Sequence, residues 1–332
     1  MSNPKIAVLL PFRDAVRTIR RSVESILIQT LQDFELLLIN DGSTDGSREV
    51  VEKISDDRIR IIDLPSSGTV TALNEGIFLS KAGYIALIDP HDLARNDRLQ
   101  MQLDYMEKNG DVDVISSTVS YVLESPGRNI RSYIQWSNTI RDSREIFHKR
   151  FINSTVLYST IMFRKELVNS YGDFENGEFP EDYEIFLRWM DKGVRFEKLP
   201  EELTEWHDDL QRLSRRHLKY NSSAAAKIKA KYFKSWFQGY FKRRPELFLW
   251  GANQANLNKT TPLAKEGLKI SGFVEMDGSK TDFFEENPVF NIEQIPARVF
   301  IICFVDQYEP GEIPEILTQK GLEEGTHFIL MS

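Results

Sequence analysis

Residues 5–10 (KIAVLL) form an unbroken apolar run stopped by Pro11, and residues 34–39 (FELLLI) form a second. Runs of this length predict buried strands. Between them, Val16, Ile19, Val23, Ile26 and Leu27 recur at helical spacing, which predicts an amphipathic helix over 16–29. The second run ends in Asn40-Asp41-Gly42-Ser43-Thr44-Asp45-Gly46, a tight strand-to-helix turn in which Ser43 or Thr44 is expected to cap a helix over 48–54. Residues 58–63 alternate like a third strand, 69–80 read as a helix, and 84–88 as a fourth strand, entered after Gly83 and broken by Pro90. A helix over 98–109 and a strand over 112–116 follow, and 121–151 reads as loop plus irregular strand. Residues 155–163 are strand-like. Residues 181–192 predict a helix that opens with acids, and 195–198 and 203–206 predict two short strands. Strands alternating with helices make this an α/β chain with a mostly parallel sheet covered on both faces.

A basic helix over 224–242 comes next, and a new α/β pattern begins at Leu247, with strands over 268–274, 299–305 and 328–331 and a helix over 312–320. The expected organisation is a first domain over 1–218, a basic helical linker over 219–245, and a small Rossmann-like domain over 246–332. No apolar run reaches the ~18 residues of a membrane span. The start, Met1-Ser2-Asn3-Pro4-Lys5, leads directly into strand-like residues, so no signal peptide is expected. Cys303 is the single cysteine, which excludes an internal disulfide and a cysteine-built zinc site. A cytoplasmic protein is expected.

Net charge is −8, yet residues 215–244 hold ten Lys or Arg and no acid, leaving −18 elsewhere. That balance argues against nucleic-acid binding and for one local basic feature. Aromatic residues are interleaved there: Tyr232, Phe233, Trp236, Phe237, Tyr240 and Phe241. One reading of 224–244 is an interfacial helix resting on anionic lipid at the inner membrane face; the other is a helix packing the domains together, its lysines in water.

Ligands of open α/β sheets bind beyond the carboxyl ends of the strands. The first strand is followed by Pro11-Phe12-Arg13-Asp14, the second by Asn40-Asp41-Gly42-Ser43 and the fourth by Asp89-Pro90-His91-Asp92, while Glu181-Asp182 stand at a helix start after Pro180. Any one of these has a plain structural reading, such as a turn or a helix-dipole partner. Their joint order points to one pocket.

In that order the chain resembles the family-two glycosyltransferases with the GT-A fold, over residues 5–217. The matching segments are Leu9-Leu10-Pro11-Phe12-Arg13, Asn40-Asp41-Gly42-Ser43, Asp89-Pro90-His91-Asp92, and Glu181-Asp182 ahead of Leu187-Arg188-Trp189. The resemblance implies an inverting enzyme that moves a sugar from a nucleotide-diphosphate sugar, expected to be a UDP-sugar, to a hydroxyl of a glycan or lipid-linked acceptor in bacterial polysaccharide synthesis. It implies that Pro11, Phe12, Arg13, Asp41, Ser43, Asn74, Asp89 and Arg212 bind the nucleotide sugar, and that Asp182 is the general base beside Glu181. Asp89, His91, Asp92 and His207 would hold Mn²⁺ or Mg²⁺. His91 stands where the family has an Asp, and imidazole suits Mn²⁺ better than Mg²⁺. The segment Trp206-His207-Asp208 through Arg212 and Arg215 resembles one that closes the family's site. The C-terminal half is similar to small Rossmann-like lobes appended to some bacterial members; Asn253 and Asn256 replace the later glycines of a dinucleotide fingerprint, so no NAD is expected. Oligomeric state is open, a homo-oligomer included.

Two rival readings follow. A catalytically silent nucleotide-sugar-binding protein would keep the pocket and lose the metal site, with His91 as its motive. A nucleotidyltransferase shares the sheet architecture but would carry a Gly-rich loop where Pro11-Phe12-Arg13-Asp14 stands.

Overall fold

The computed structural model describes residues 3–123, 128–208, 212, 217–276, 283–306, 308 and 311–332. The chain divides into two compact units, Met1–Ile146 with Thr155–Tyr220, and Phe147–Ser154 with Asn221–Ser332.

The first unit is built on strands β1 (Ile6–Phe12), β2 (Phe34–Asp41), β3 (Ile59–Leu64), β4 (Tyr84–Leu87), β5 (Leu93–Ala94), β6 (Val114–Leu123), β7 (Met162–Arg164) and β8 (Phe196–Asp208). They lie in the order β3-β2-β1-β4-β7-β6-β8-β5. β1 pairs in parallel with both β2 and β4, and all seven of its residues are buried. A central parallel strand is covered on both faces, so its apolar residues run without alternation. β3, at the edge, is less covered: Arg60 and Asp63 are exposed and its other four residues are half-buried. β7 runs antiparallel between β4 and β6. The helices are α1 (Ile19–Leu27), α2 (Ser47–Glu52), α3 (Thr69–Leu79), α4 (Arg98–Lys108), α5 (Arg128–Thr139), α6 (Ser143–Lys149), α7 (Glu166–Tyr171) and α8 (Glu181–Asp191). Val8, Leu10, Leu36 and Leu38 of the sheet pack with Ile19, Val23 and Ile26 of α1 and Leu99 and Leu103 of α4 in one core.

Several expectations are corrected. Residues 121–151 are not loop and irregular strand: β6 runs on to Leu123, and two helices, α5 and α6, follow. Ile134 of α5 packs on Val119, Leu157 and Trp206, but arginines, serines and asparagines dilute the helical period. Of the expected strand over 155–163 only Met162 and Phe163 lie in a strand, β7, preceded by a 3-10 turn at Tyr158–Thr160. The two short strands over 195–206 are one, β8; its register against β6 slips between Ser117 and Val119, which absorbs Pro200 in a bulge. Neither Ser43 nor Thr44 caps α2. Its first position is preceded by Gly46 in the left-handed region, while Thr44 donates its N–H to Asp14 Oδ1 and Ser43 Oγ accepts the Asp14 N–H.

The second unit holds β9 (Glu246–Trp250), β10 (Ile270–Glu275), β11 (Phe283–Phe284), β12 (Asn287–Asn291), β13 (Val299–Phe304) and β14 (Phe328–Met331), in the order β11-β12-β10-β9-β13-β14. All pair in parallel except the short β11, and β11 and β12 were not expected from the sequence. The turn after β9 is filled by its own side chains. Asn256 Nδ2 donates to Trp250 O at 3.0 Å, Asn253 Oδ1 accepts the Asn256 N–H, and Glu275 Oε1 accepts the Ala252 N–H. The basic helix spans Ser222–Tyr240, capped by Asn221, and buries Phe233, Trp236 and Phe237 against Phe151 and Phe300. Its aromatic face is thus spent inside this unit. Among the described residues no helix is long and apolar enough to cross a membrane.

Candidate active site

Because β3, β2, β1 and β4 are parallel neighbours, the carboxyl ends of β1, β2 and β4 share one edge. Pro11 and Phe12 are buried there, and Arg13 is exposed, its Nη1 donating to Ser66 Oγ at 2.6 Å. Asp41 is buried; its carboxylate accepts the backbone N–H groups of Ser67 at 2.5 Å and Gly68 at 3.0 Å, where the loop enters α3. Gly42 takes φ +69°, and a Cβ there would stand 2.8 Å from Ser66 N, so this turn tolerates only glycine against that loop. Asn40, at the end of β2, ties the turn to β3: Nδ2 donates to Asp63 Oδ1 at 2.9 Å and Oδ1 accepts the Ser43 N–H at 3.0 Å. Asn74 exchanges two hydrogen bonds with the backbone of Phe174, at 2.9 and 3.1 Å, and so anchors the loop that leads into α8.

The motif after β4 has two unlike acids. Asp89 is partly exposed; Oδ1 accepts the His91 N–H at 3.0 Å. Asp92 is fully buried, and its carboxylate accepts four hydrogen bonds: Arg212 Nη1 at 2.7 Å and Nη2 at 3.1 Å, Ser159 Oγ at 2.5 Å, and the His207 N–H at 3.1 Å. The Arg212 guanidinium also lies 3.5 Å from Asp89 and 4.4 Å over the Trp206 ring. Burial pulls its pKa down, but the charges of Asp89 and Asp92 outweigh that and hold it above the ordinary arginine value. A second buried guanidinium, Arg98, lies beneath, donating to Leu87 O and Ile161 O, with Asp92 as its nearby negative charge. His91 is buried, with Nδ1 3.3 Å from Thr18 Oγ1.

His207 reaches this cluster through topology. β5, directly after the motif, pairs antiparallel with β8, setting Leu93 opposite Glu205. His207 Nε2 and Glu205 Oε1 are 2.6 Å apart, and His207 Nδ1 is buried without a partner. A ring that gives its Nε2 proton to a carboxylate leaves Nδ1 as a lone pair, the arrangement seen behind metal-ligating histidines.

The other acid pair sits at the start of α8. Glu181 is buried, with Tyr220 Oη donating to Oε1 at 2.7 Å and the Lys219 ammonium 2.8 Å from Oε2. Asp182 Oδ1 accepts the Tyr183 N–H at 2.8 Å. Burial, and then the negative charge of Glu181, push the Asp182 carboxyl up to about 7, while Lys219 pulls the other way. The Tyr158 hydroxyl is buried, and it feels the charges of both pairs, Asp89 and Asp92 on one hand and Glu181 and Asp182 on the other. Burial first, and then those four acids, raise its pKa well above the ordinary tyrosine value.

Sequence reasoning missed Ser159, Lys219, Tyr220, Tyr158 and a polar stripe on α1. Ser22 Oγ donates to Asp92 O at 2.7 Å, and Ser25 Oγ accepts the Ala94 N–H at 3.1 Å. Gln29 Oε1 accepts the Leu99 N–H at 2.9 Å. With Thr18, these four fall at i, i+4, i+7 and i+11, so they occupy one buried helix face. That spacing of small polar residues was the available signal.

Among the described residues no three His, Cys, Asp or Glu side chains converge as a metal cage. Asp92 is committed to Arg212, Ser159 and His207 N–H. The partly exposed Asp89 and the free Nδ1 of His207 remain as donors. One carboxylate with one imidazole nitrogen suits Mn²⁺ better than Mg²⁺, with substrate phosphates supplying further oxygen ligands.

A model of glycosyl transferase family 2 matches residues 7–172. An uncharacterized glycosyltransferase of Rickettsia bellii is 30% identical over 184 residues, 55% of this chain and 25% of its own length, so the chain spans about a quarter of that relative. S. aureus TarS 1-349, solved in complex with UDP-GlcNAc, aligns with a TM-score of 0.54 at 14% identity over 70% of this chain and 73% of its own. The mannosyltransferase PcManGT of Pyrobaculum calidifontis, solved with GDP-Man and Mn²⁺, aligns at 0.50 with 15% identity, over 80% and 70%. At these identities the likeness is one of fold, and the fold is GT-A.

Proposed function

Because the chain belongs to glycosyl transferase family 2, we propose that it transfers a sugar from a nucleotide-diphosphate sugar, with a UDP-sugar the first candidate, to an acceptor hydroxyl with inversion. The observation that carries this reading is the Tyr158 hydroxyl, within electrostatic reach of both Asp89 and Asp182. One acid pair at the leaving diphosphate and one at the attacking hydroxyl are what a direct displacement needs. The chemistry then divides among the residues. Asp182, with its pKa near neutrality, takes the acceptor proton as that oxygen attacks the anomeric carbon. A base is most effective when its pKa lies near the working pH. Glu181 is neutralised by Lys219 and held by Tyr220, so it positions and tunes its neighbour rather than taking the proton itself. Arg212 brings fixed positive charge to the motif, and Asp92 orients it. Asp89 and His207 would hold a divalent cation, which would neutralise charge on the departing diphosphate. Arg13, Asp41 and Ser43 shape the edge proposed for the nucleotide.

Complexes of the structural neighbours with UDP-GlcNAc and with GDP-Man support nucleotide-sugar use. The test is Asp182→Asn, assayed by nucleoside diphosphate release from UDP-GlcNAc, UDP-glucose and GDP-mannose. Turnover should fall by at least about a hundredfold, while affinity for the bare diphosphate stays within twofold. Undiminished turnover would overturn the assignment of the base. Donor binding with no turnover by the unmodified protein under Mn²⁺, Mg²⁺ or chelator would favour the silent binding protein.

A further inference from the structure

Tyr158 occupies a position that no motif marks. It opens the 3-10 turn Tyr158–Thr160, and the next residue pins that turn to the motif: Ser159 Oγ donates to Asp92 Oδ2 at 2.5 Å and accepts the Asp89 N–H at 3.1 Å. The Tyr158 hydroxyl is buried and has no hydrogen-bond partner. A buried hydroxyl left unpaired costs about 1–3 kcal/mol. Folded chains retain such a group where it has work to do. Its surroundings define that work. Four carboxylates, Asp89, Asp92, Glu181 and Asp182, act on it, and Tyr220 lies beside it. That field repels an anionic group and leaves a neutral, hydroxyl-bearing one as the fitting partner. It is within electrostatic reach of both the acid pair assigned to the leaving diphosphate and the pair assigned to the acceptor. In a direct displacement the atoms between those two are the transferred sugar ring.

We propose that Tyr158 is a donor-sugar recognition residue, its hydroxyl donating a hydrogen bond to a hydroxyl oxygen of the sugar being transferred. This rests on the transferase reading above and goes beyond it, because it assigns sugar recognition to a residue outside the diphosphate and nucleotide contacts. No bond is made or broken at Tyr158; the phenol stays protonated throughout and acts as a donor only.

The test is Tyr158→Phe, which removes one oxygen and keeps the ring. Affinities of the parent and variant would be measured by calorimetry for UDP, UDP-GlcNAc, UDP-glucose, GDP and GDP-mannose. The sugar nucleotide that the parent binds should bind about tenfold more weakly to the variant, the worth of one hydrogen bond. Its bare diphosphate should bind within twofold of the parent value. Equal losses for both ligands would place the hydroxyl on the diphosphate and overturn the proposal, as would no loss for either. The variant should melt at or slightly above the parent temperature, because it loses an unpartnered buried hydroxyl; a fall of several degrees would show that the group is bonded within the protein, and would also overturn it. If the parent binds none of the sugar nucleotides, the transferase reading itself fails, a result distinct from a parent that binds them and a variant that does so equally well.

Discussion

Replacing Glu181 by Gln should move the pH dependence of catalysis toward acid. The Asp182 carboxyl sits at about 7 in the folded chain, against an ordinary 3.8, chiefly through burial and then through Glu181. Removing the Glu181 charge removes the second cause and frees Lys219, which already acts to lower the Asp182 pKa. A fall of about one unit is the scale expected for losing a close like charge. At pH 6 a base of pKa about 7 is about 9% ionised, and one of about 6 is half ionised. Glu181→Gln should therefore raise kcat/KM about fivefold at pH 6 and leave it nearly unchanged at pH 8. Nucleoside diphosphate release, followed from pH 5 to 9 for parent and variant, gives the two ascending limbs. An unmoved limb, or one moved toward alkali, would refute the electrostatic account. A loss of about a hundredfold at every pH would make Glu181 the proton acceptor instead. Stability carries the same sign. The raised folded-state pKa means that the folded chain keeps a proton which the unfolded chain releases between about pH 4 and 7, so Asp182 lowers stability as pH rises through that window. Glu181→Gln should lessen that decline.

Two further outcomes are expected. Asp92→Ala strands the Arg212 guanidinium without its buried partner and should cost about 3–5 kcal/mol in chemical denaturation, the range for breaking a buried ion pair; Asp89→Ala, at a partly exposed site, should cost under about 1 kcal/mol while weakening donor binding, and equal costs would contradict the division between the two acids. Lys198 is buried, and its ammonium donates to Ser137 O at 2.7 Å and Thr155 O at 2.5 Å, with its pKa lowered to about 7 by burial. The unfolded chain therefore holds more protons than the folded one between about pH 7 and 10, and Lys198 makes stability rise with pH across that range. Thermal melts at pH 7 and 9 should show a smaller rise for Lys198→Met, and an unchanged slope would show that Lys198 stays charged.

The chain's own pattern determined the elements whose burial is uniform or strictly periodic. The central strands β1, β2 and β4 read correctly because parallel pairing covers both faces and demands unbroken apolar runs. α3, α4 and α8 read correctly because their apolar positions repeat at helical spacing. The turns after β1, β2 and β4 were legible as a set because a sheet with these neighbours must bring their ends to one edge. Where a residue's environment comes from distant chain, the local pattern was silent. α5 was obscured because its apolar residues, Ile130, Tyr133, Ile134 and Trp136, are interspersed with arginines, serines and asparagines. β8 looked like two strands because the bulge that carries Pro200 is a property of its pairing with β6.

Only tertiary structure separated the two acids of Asp89-Pro90-His91-Asp92, which are identical in type and three residues apart. Arg212, 120 residues downstream, closes on Asp92, and Arg98 adds charge from beneath, so one carboxylate becomes an internal counter-ion while the other stays within reach of a ligand. Burial and paired charge set what a carboxylate can do, and both are supplied by residues that the local sequence does not contain.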